Sequence, residues 1–374
     1  MKIAVMGTRG IPAKYGGFET FAEELSVRLV QRGHKVTVYC LKSLASEGNG
    51  SHRGVRRVVL PGIGNENLEL LSHTGFATLH ALFRRYDAIL VCNALNAIFT
   101  CLPRLLAQRV VINVDGMAGQ RHNWSTFGQL VWDISERLAA KVPDRIITDA
   151  RGVCEYFEER YGVKSVVIPY GAPKVSIPPG GTLMKYGLHA REYLLFVSRL
   201  DPENHAHTVI SAYKKAHIPS PMVIVGDIAE TTRYVGHIRE QTSNWEVLSD
   251  AKIILAGTVY GRAIEELMGN SLAYIQATEV GGTHPALLQA MGAGSLVVAN
   301  DLPEHREVLG KAGIYYRYNS ITDLAQKMRD VFQNPSQFDN LRAAAQQRIE
   351  TDYSWELVTD RYEELFRSLS NGRK

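Results

Sequence analysis

Short apolar runs alternate with amphipathic stretches along most of the chain. The runs are only a few residues long and rich in Val, Ile and Leu, which is typical of strands buried on both faces. Between the first two runs, residues 19–32 place their apolar side chains on one broad helical face, and Gly33 ends the pattern. This rhythm predicts parallel strands joined by crossover helices. Strands are predicted at 2–6, 35–40, 87–92, 109–114, 145–149 and 165–169, and again at 193–198, 222–226, 252–256, 272–276, 295–299 and 313–316.

One stretch rich in proline and glycine, residues 169–188, interrupts this alternation. Its composition is typical of a linker, and a chain of 374 residues is long enough for two domains. We therefore predict two doubly wound α/β domains over 1–170 and 171–352, with the amphipathic C-terminal helix 353–374 packing back on the first. If the domains face each other across a cleft, their strand ends and any ligand lie in that cleft.

Composition and charge narrow the functional classes. A hydrophobic content of 45% and a charged content of 21% are ordinary for a soluble globular protein. The net charge of +4 does not argue for nucleic-acid binding. Because no signal peptide is apparent and no apolar run reaches the roughly 18 residues of a membrane-spanning helix, we expect a cytoplasmic protein. The four cysteines lack C-x-x-C spacing, which indicates buried thiols rather than disulfides or a zinc site.

Glycines are concentrated in GTRGIPAKYGGFET, residues 7–20, directly behind the first strand. A glycine-rich loop before a helix usually binds phosphate, since a helix N-terminus offers unpaired N–H groups. The spacing is neither G-x-G-x-x-G nor a P-loop, and no acid ends the second strand, so a dinucleotide is disfavoured. Two interpretations stay open: the amides of Gly16 and Gly17 approach an anion, with Arg9 and Lys14 nearby, or the glycines serve only a tight turn.

The second half carries a similar loop, EVGGTHPALLQAMGAG at 279–294, directly after the predicted strand 272–276. Gly281, Gly282 and Thr283 form a turn of small residues, and Pro285 suits the first position of a helix. This predicts a second helix N-terminus directed at an anion. Since the two loops belong to different domains, a ligand between them is expected.

Together these segments resemble the retaining glycosyltransferases of family 4, which have the GT-B fold of two Rossmann-like domains facing across a cleft. The resemblance extends over nearly the whole chain and is most specific in the opening GTRGIPAKYGGFET. It includes NVDG at 113–116, VSRLDPEN at 197–204 and the 279–294 block. The opening is closest to the bacterial branch with rhamnosyltransferases of surface-polysaccharide assembly.

The resemblance implies roles for individual residues. Arg199 would neutralise the donor diphosphate, as a bidentate guanidinium suits that task, and Asp115 would lie near the transferred sugar; these are the two catalytic candidates. The remaining donor-binding candidates are Gly16, Gly17, Asn204, Glu279, Gly281, Gly282, Thr283, His284 and Gln289.

Three positions depart from the family pattern. The two glutamates usually spaced E-x7-E are Gly281 and Gln289, and the usual lysine at 204 is Asn204. Glu279 either substitutes for the missing first glutamate or is an ordinary strand-end acid. His284 either contacts sugar or phosphate or is a loop residue, and Trp124 either stacks on a sugar or packs in a loop.

The resemblance implies a metal-independent transferase without a cofactor, which moves a sugar from a nucleoside-diphosphate donor; no D-x-D sequence is present. The leading donor is dTDP-rhamnose, with a UDP-hexose as the alternative. The acceptor would be a saccharide, free or linked to a polyprenyl diphosphate, in polysaccharide biosynthesis.

The basic stretch 52–57, with Arg84 and Arg85, either contacts the inner face of the cell membrane or is a solvated loop. A sugar-nucleotide epimerase with the same fold and a non-catalytic nucleotide- or carbohydrate-binding relative remain as alternatives to a transferase.

Overall fold

A computed structural model of the protein describes residues 1–13, 16–45, 48–64, 66–114, 126–228, 232–246 and 252–371. The chain divides into two compact units, Met1–Tyr170 with Trp355–Lys374, and Gly171–Ser354. Each unit contains one largely parallel sheet with helices. Within the described ranges, no helix combines the length and the hydropathy that crossing a membrane requires.

The strands lie where the apolar runs predict them, within two residues at each end. In chain order they are β1 (Lys2–Met6), β2 (Lys35–Leu41), β3 (Gly50–His52), β4 (Val55–Leu60), β5 (Ala88–Cys92), β6 (Val110–Val114), β7 (Arg145–Thr148), β8 (Val166–Val167), β9 (Leu194–Val197), β10 (Met222–Val225), β11 (Ile253–Gly257), β12 (Ala273–Gln276), β13 (Val297–Asn300) and β14 (Ile314–Tyr316). Only β3 and β4 lack a predicted counterpart.

The α-helices, in chain order, are α1 (Gly17–Gln31), α2 (Glu66–Leu82), α3 (Cys101–Leu105), α4 (Thr126–Lys141), α5 (Arg151–Tyr161), α6 (Gly181–Tyr186), α7 (Ala206–Ala216), α8 (Arg233–Glu246), α9 (Arg262–Asn270), α10 (Pro285–Gly292), α11 (Pro303–Leu309), α12 (Ile321–Gln333), α13 (Asp339–Asp352) and α14 (Trp355–Asn371). Short 3₁₀ helices cover Ala94–Thr100, Pro202–Asn204 and Pro335–Phe338.

Both sheets reverse their winding direction at the first strand. The first has the order β3-β4-β2-β1-β5-β6-β7-β8, so the chain runs outward from β1 and then returns to β5 on its other side. The second has the order β11-β10-β9-β12-β13-β14, and its reversal lies between β9 and β12. In open α/β sheets, ligands bind beyond the carboxyl ends of the strands at such a reversal. The doubly wound fold predicted from the strand rhythm is confirmed.

The basic stretch 52–57, expected either to contact a membrane or to be a solvated loop, belongs to a strand pair and is not a loop. It forms the antiparallel hairpin of β3 and β4, whose turn residues Arg53 and Gly54 both have positive φ (48° and 84°). Two such residues form the tight turn that matches the twist of a hairpin. Arg57 lies in β4 and is only 4% exposed. The signal was weak because β3 is three residues long and polar.

The last helix, α14, completes the core of the first unit. Tyr362 and Phe366 are fully buried, and the Tyr362 ring lies 5.3 Å from the ring of Phe21 in α1. The Tyr362 hydroxyl accepts a hydrogen bond of 2.8 Å from Nδ2 of Asn113, which lies in β6. Because this bond is fully buried, it gives the Nδ2 donor of Asn113 a partner where water cannot. The first unit is therefore built from both ends of the sequence.

Candidate functional site

Two loops meet at the switch point of the second sheet. Residues 198–205 follow β9 and residues 277–284 follow β12, and β9 and β12 are neighbouring parallel strands. The loops therefore leave the same edge of the sheet, and they touch: the N–H of Glu279 donates to the carbonyl of Glu203 at 3.0 Å. The predicted diphosphate contacts in 199–204 and 279–284 are thus brought together.

Arg199 presents its guanidinium to solvent at this edge. The side chain is 62% exposed, and Nη1 lies 3.5 Å from Oδ2 of Asp201. An exposed pair at that distance contributes little stability, so the guanidinium can turn to a stronger anionic partner. A diphosphate that accepts two N–H bonds would be such a partner.

Asn204 hydrogen-bonds to the backbone of Arg199. It is only 5% exposed, and its Nδ2 donates to the Arg199 carbonyl oxygen at 2.8 Å. The amide therefore fixes the backbone of the loop that carries the arginine. This geometry favours a role for Asn204 in positioning the loop. Direct contact between Asn204 and the sugar donor stays a prediction.

The glycine turn before α10 has a steric reason. Gly281 has φ +152°, and a Cβ built on it would lie 2.7 Å from Cε1 of His284. The imidazole of His284 thus occupies the space that a side chain at 281 would need. Gly282 and Thr283 are buried behind it, and Pro285 opens α10 as predicted. Where the family has its first glutamate, this chain has a histidine ring against a glycine.

His284 and His305 form a neutral imidazole pair. Their ring centroids are 5.0 Å apart. His305 is fully buried, with Nδ1 2.8 Å from the carbonyl oxygen of Asn300 and Nε2 3.2 Å from Nε2 of Gln276. Nδ1 therefore carries the proton and donates, while Nε2 accepts from the amide.

Burial lowers the pKa of His305 to about 4. Burial, and secondarily His305, holds the pKa of His284 well below its ordinary value. At neutral pH, His284 therefore offers a neutral donor or acceptor beside α10. It adds no positive charge for a diphosphate, whereas the guanidinium of Arg199 would.

Glu279 pairs with His205, a contact that the sequence did not predict. Its Oε2 lies 2.7 Å from Nε2 of His205, and the two side chains are 33% and 14% exposed. The other ring nitrogen, Nδ1, lies 3.3 Å from Oγ1 of Thr208. The pair links the 277–284 loop to the 198–205 loop, so Glu279 has a structural partner. Its role as a substitute for the missing first glutamate stays a prediction. Among the described residues, no group of three or more His, Cys, Asp and Glu is arranged to hold a metal ion.

Gln289 lies half-buried on α10, in the second turn after His284. Its place on this helix is compatible with the ribose contact expected at the second glutamate position. That contact stays a prediction.

The opening loop of the first unit is held by carboxylates. The N–H of Arg9 donates to Glu19 at 2.9 Å, and the N–H of Ala13 donates to Glu23 at 2.6 Å. Glu19 is buried in the first turn of α1. Its negative charge opposes a second anion at this helix start, so the anion contact predicted for Gly16 and Gly17 has an internal competitor.

Gly7 and Gly10 serve close packing in the same loop. Both have positive φ, and added Cβ atoms would lie 2.4 Å from the carbonyl oxygen of Cys92 and 2.6 Å from Cys40. Only glycine fits at either position. By contrast, Gly16 has an extended backbone (φ −161°) that any residue adopts. Asp115, Lys14 and Trp124 lie outside the described residues, so their predicted roles stay predictions.

Both halves of the chain match family models. Residues 15–173 match the model described as Glycosyltransferase Family 4, and residues 185–348 match Glycosyl transferases group 1. No curated protein sequence matches the chain significantly.

Solved structures share the fold at low identity. A sucrose-phosphate synthase from Thermosynechococcus elongatus is 17% identical with a TM-score of 0.84, and the match covers 99% of each chain. HepE of Anabaena, solved in complex with UDP-glucose, is 17% identical with a TM-score of 0.77 over 98% of this chain and 100% of its own. A glycosyltransferase from Rickettsia africae is 16% identical with a TM-score of 0.75 over 98% of both chains. With a glycosyltransferase model matched in each half and these neighbours over its whole length, the chain belongs to the glycosyltransferases of the two-domain GT-B fold.

Proposed function

We propose that the protein is a retaining, metal-independent glycosyltransferase that transfers a sugar from a nucleoside-diphosphate donor to a saccharide or lipid-linked saccharide in polysaccharide biosynthesis. The observation that carries this proposal is the exposed guanidinium of Arg199 in the loop after β9, a loop that contacts the one leading into α10 at the switch point of the second sheet. A cation and a helix N-terminus at one edge suit a diphosphate.

The proposed chemistry needs positioning and charge stabilisation rather than a protein nucleophile. The bond between the anomeric carbon and the donor phosphate oxygen breaks. The acceptor hydroxyl then bonds to that carbon on the same face, and its proton passes to the departing diphosphate. Arg199 and the N–H groups before α10 stabilise the negative charge that grows on the diphosphate. No cofactor takes part, because the donor is itself a substrate.

Two donor classes remain candidates. The resemblance of the opening loop favours dTDP-rhamnose. HepE, which shares the fold, is solved with UDP and with UDP-glucose, and this supports a UDP-hexose as the alternative. The neutral His284 that fills the place of the usual first glutamate supports a sugar pocket different from that of typical family members.

A donor panel with an Arg199→Ala variant tests the proposal. Wild type is incubated with dTDP-rhamnose, UDP-glucose and related donors, with saccharide acceptors, and the released nucleoside diphosphate is measured. We expect Arg199→Ala to lower kcat/KM about a hundredfold, the effect of losing one contact worth roughly 3 kcal/mol to the transition state. Arg317→Ala, which removes an arginine 78% exposed elsewhere in the unit, is the matched control.

Three results would contradict the proposal. If Arg199→Ala keeps full activity, the diphosphate does not lie beside Arg199. If the donor alone is converted to its epimer, the protein is an epimerase. If nucleotides bind and no donor turns over with any acceptor, it is a binding protein.

A further inference from the structure

The first unit exposes a set of large apolar side chains on α2, α3 and the segments that follow them. Phe83 is 85% exposed and Leu105 is 81% exposed, the two highest values among the large hydrophobic residues of the described chain. Leu79, Leu102 and Leu106 are exposed as well. We call these five residues the apolar face. Exposed apolar side chains clustered this way mark a contact surface rather than scattered surface residues.

Neighbouring elements bring the apolar face together. Leu79 lies in α2, and Phe83 follows the end of that helix directly. The Nε2 of Gln108 donates to the carbonyl of Leu82 at 3.2 Å, which ties the segment after α3 to the end of α2. Leu102, Leu105 and Leu106 belong to α3 and its C-cap.

The helix α2 shows why these side chains are not part of the core. Its opposite side buries Ala77 and Ala81 completely. Leu79 and Phe83 are offset from those alanines by two positions, which on a helix places them on another side. The sheet is therefore already covered by small residues, and the large ones point outward.

Arginines surround the apolar face. Residues 79–109 contain Arg84, Arg85, Arg104 and Arg109 but a single acid, Asp87. Arg104 and Arg109 share Asp144 at 3.0 and 3.1 Å. Arg84 and Arg85, which directly follow Phe83, are exposed, and Asp87 accepts from the N–H of Lys2 at 2.7 Å. Arg104 and Arg109 are thus paired with an acid, and the exposed positive charge next to the face comes from Arg84 and Arg85.

The apolar face lies at the edge of the first sheet opposite to the loops that follow the carboxyl ends of its strands. Phe83 to Arg85 precede β5, and Leu105 and Leu106 precede β6. They lie where parallel strands begin, while the opening glycine loop lies at the opposite edge of the same sheet.

We propose that the apolar face and its arginines dock the protein on an anionic lipid bilayer. Apolar side chains that enter the headgroup boundary, next to cations that meet lipid phosphates, make up the usual peripheral contact. A second copy of this chain is a poorer partner, because a two-fold contact would bring each group of arginines against its own copy. Within the hairpin 52–57, Arg57 is buried and His52 contacts Glu23 at 2.9 Å, so the docking surface does not rely on these two side chains.

Vesicle co-sedimentation tests the docking surface. Wild type is mixed with vesicles of phosphatidylcholine alone or with phosphatidylglycerol added, and the pelleted fraction is measured. No donor or acceptor is present, so the result is independent of the proposed transfer reaction. We expect binding only when phosphatidylglycerol is present, and weaker binding as the salt concentration rises.

Two pairs of substitutions divide the apolar from the charged contribution. Phe83→Ser with Leu105→Ser should lower the partition coefficient at least tenfold, because each side chain loses most of its burial in the bilayer. Met184→Ser is the matched control, since Met184 is 77% exposed in the other unit. Arg84→Gln with Arg85→Gln should lower binding about fivefold for each arginine.

The charge control removes two cations elsewhere. Lys164→Gln with Arg317→Gln, whose side chains are 82% and 78% exposed, leaves the same net charge as the arginine pair. Because all the substituted side chains are at the surface, thermal unfolding should be nearly unchanged in every variant.

Three outcomes would overturn the proposal. The first is that wild type stays in the supernatant with anionic vesicles. The second is that the Phe83 and Leu105 variant, or the arginine variant, binds no worse than its control. The third is that light scattering shows a dimer which the Phe83 and Leu105 substitutions dissociate, with no vesicle binding; the face would then join two copies of the chain.

Discussion

The contact between Glu279 and His205 makes a quantitative prediction about the proposed donor site. The two side chains join the loop that carries Arg199 to the loop before α10. Replacing Glu279 with Gln keeps the shape of the side chain and removes its charge. We therefore expect the two loops to lose a charge-assisted hydrogen bond of 2.7 Å without a steric change.

The size of the effect follows from burial. A hydrogen bond to a charged group contributes about 1.5–3 kcal/mol when it is buried. Glu279 is 33% exposed, so solvent screens the pair, and we expect about 1 kcal/mol. If nucleotide binding requires both loops in place, that loss corresponds to a roughly fivefold higher Kd.

Titration calorimetry with the nucleoside diphosphate of the donor measures this in a double-mutant cycle. Glu279→Gln and His205→Gln should each raise Kd about fivefold, and the double variant should be little worse than either, because both remove the same contact. Glu192→Gln, an exposed acid in the same unit, is the control. Turnover at saturating substrate should stay near the wild-type value.

Two results would refute this reasoning. Fully additive effects would mean that the pair has no coupling free energy. A fall in kcat of about a hundredfold, with normal nucleotide binding, would mean that Glu279 contacts the reacting sugar and replaces the missing glutamate.

Three further predictions concern the nucleotide, the metal and pH. Gln289→Glu should tighten nucleotide binding by about 1 kcal/mol, because a carboxylate accepts from two ribose hydroxyls where the amide offers one oxygen; weaker binding by calorimetry would place Gln289 away from the ribose. EDTA should leave the turnover rate nearly unchanged if Arg199 and α10 alone neutralise the diphosphate, whereas loss of activity with rescue by Mn²⁺ or Mg²⁺ would contradict a metal-free reaction. The free energy of unfolding should fall as pH decreases from about 6.5, the ordinary histidine pKa, toward the pKa of about 4 that burial gives His305. The reason is that the unfolded chain binds a proton there that the fold excludes, at roughly 1.4 kcal/mol per pH unit. Denaturant titrations at several pH values across this range should show that the free energy of unfolding changes less per pH unit in His305→Gln than in wild type. An unchanged pH dependence would mean that His305 does not have a lowered pKa.

The sheets were predictable because their strands are buried on both faces. A central strand such as β1 must be apolar at nearly every position, and a run of that kind is visible in the sequence alone. The β3–β4 hairpin was not predictable in this way, since Arg57 is buried in a strand and β3 is polar. The feature of the sequence that could have predicted the hairpin was the Arg53–Gly54 pair at its turn. We interpreted the surrounding basic residues as a charged surface segment instead.

For the candidate site, the sequence predicted which two loops take part but not the side-chain contacts inside them. The carboxyl ends of β9 and β12 were each marked by a motif, and parallel neighbours bring their loops together. The partners inside those loops were not visible. Glu279 and His205 are 74 residues apart in the chain, and no periodicity relates them. The burial of Asn204 and the ring of His284 against Gly281 depend on loop backbone conformations that no sequence pattern specifies.

The position of α14 has a consequence for how the first unit is made. Its sheet and most of its helices are encoded before residue 171, but Tyr362 and Phe366 follow the entire second unit in the chain. During synthesis, the ribosome must therefore deliver Gly171–Ser354 before the first core can close, and until then the amide of Asn113 lacks its hydroxyl partner. A fragment cut after Tyr170 would keep the strands and lose these aromatic side chains. A shortened chain in which 355–371 follows residue 170 through a flexible linker should supply them, and would let the first unit fold without waiting for the second.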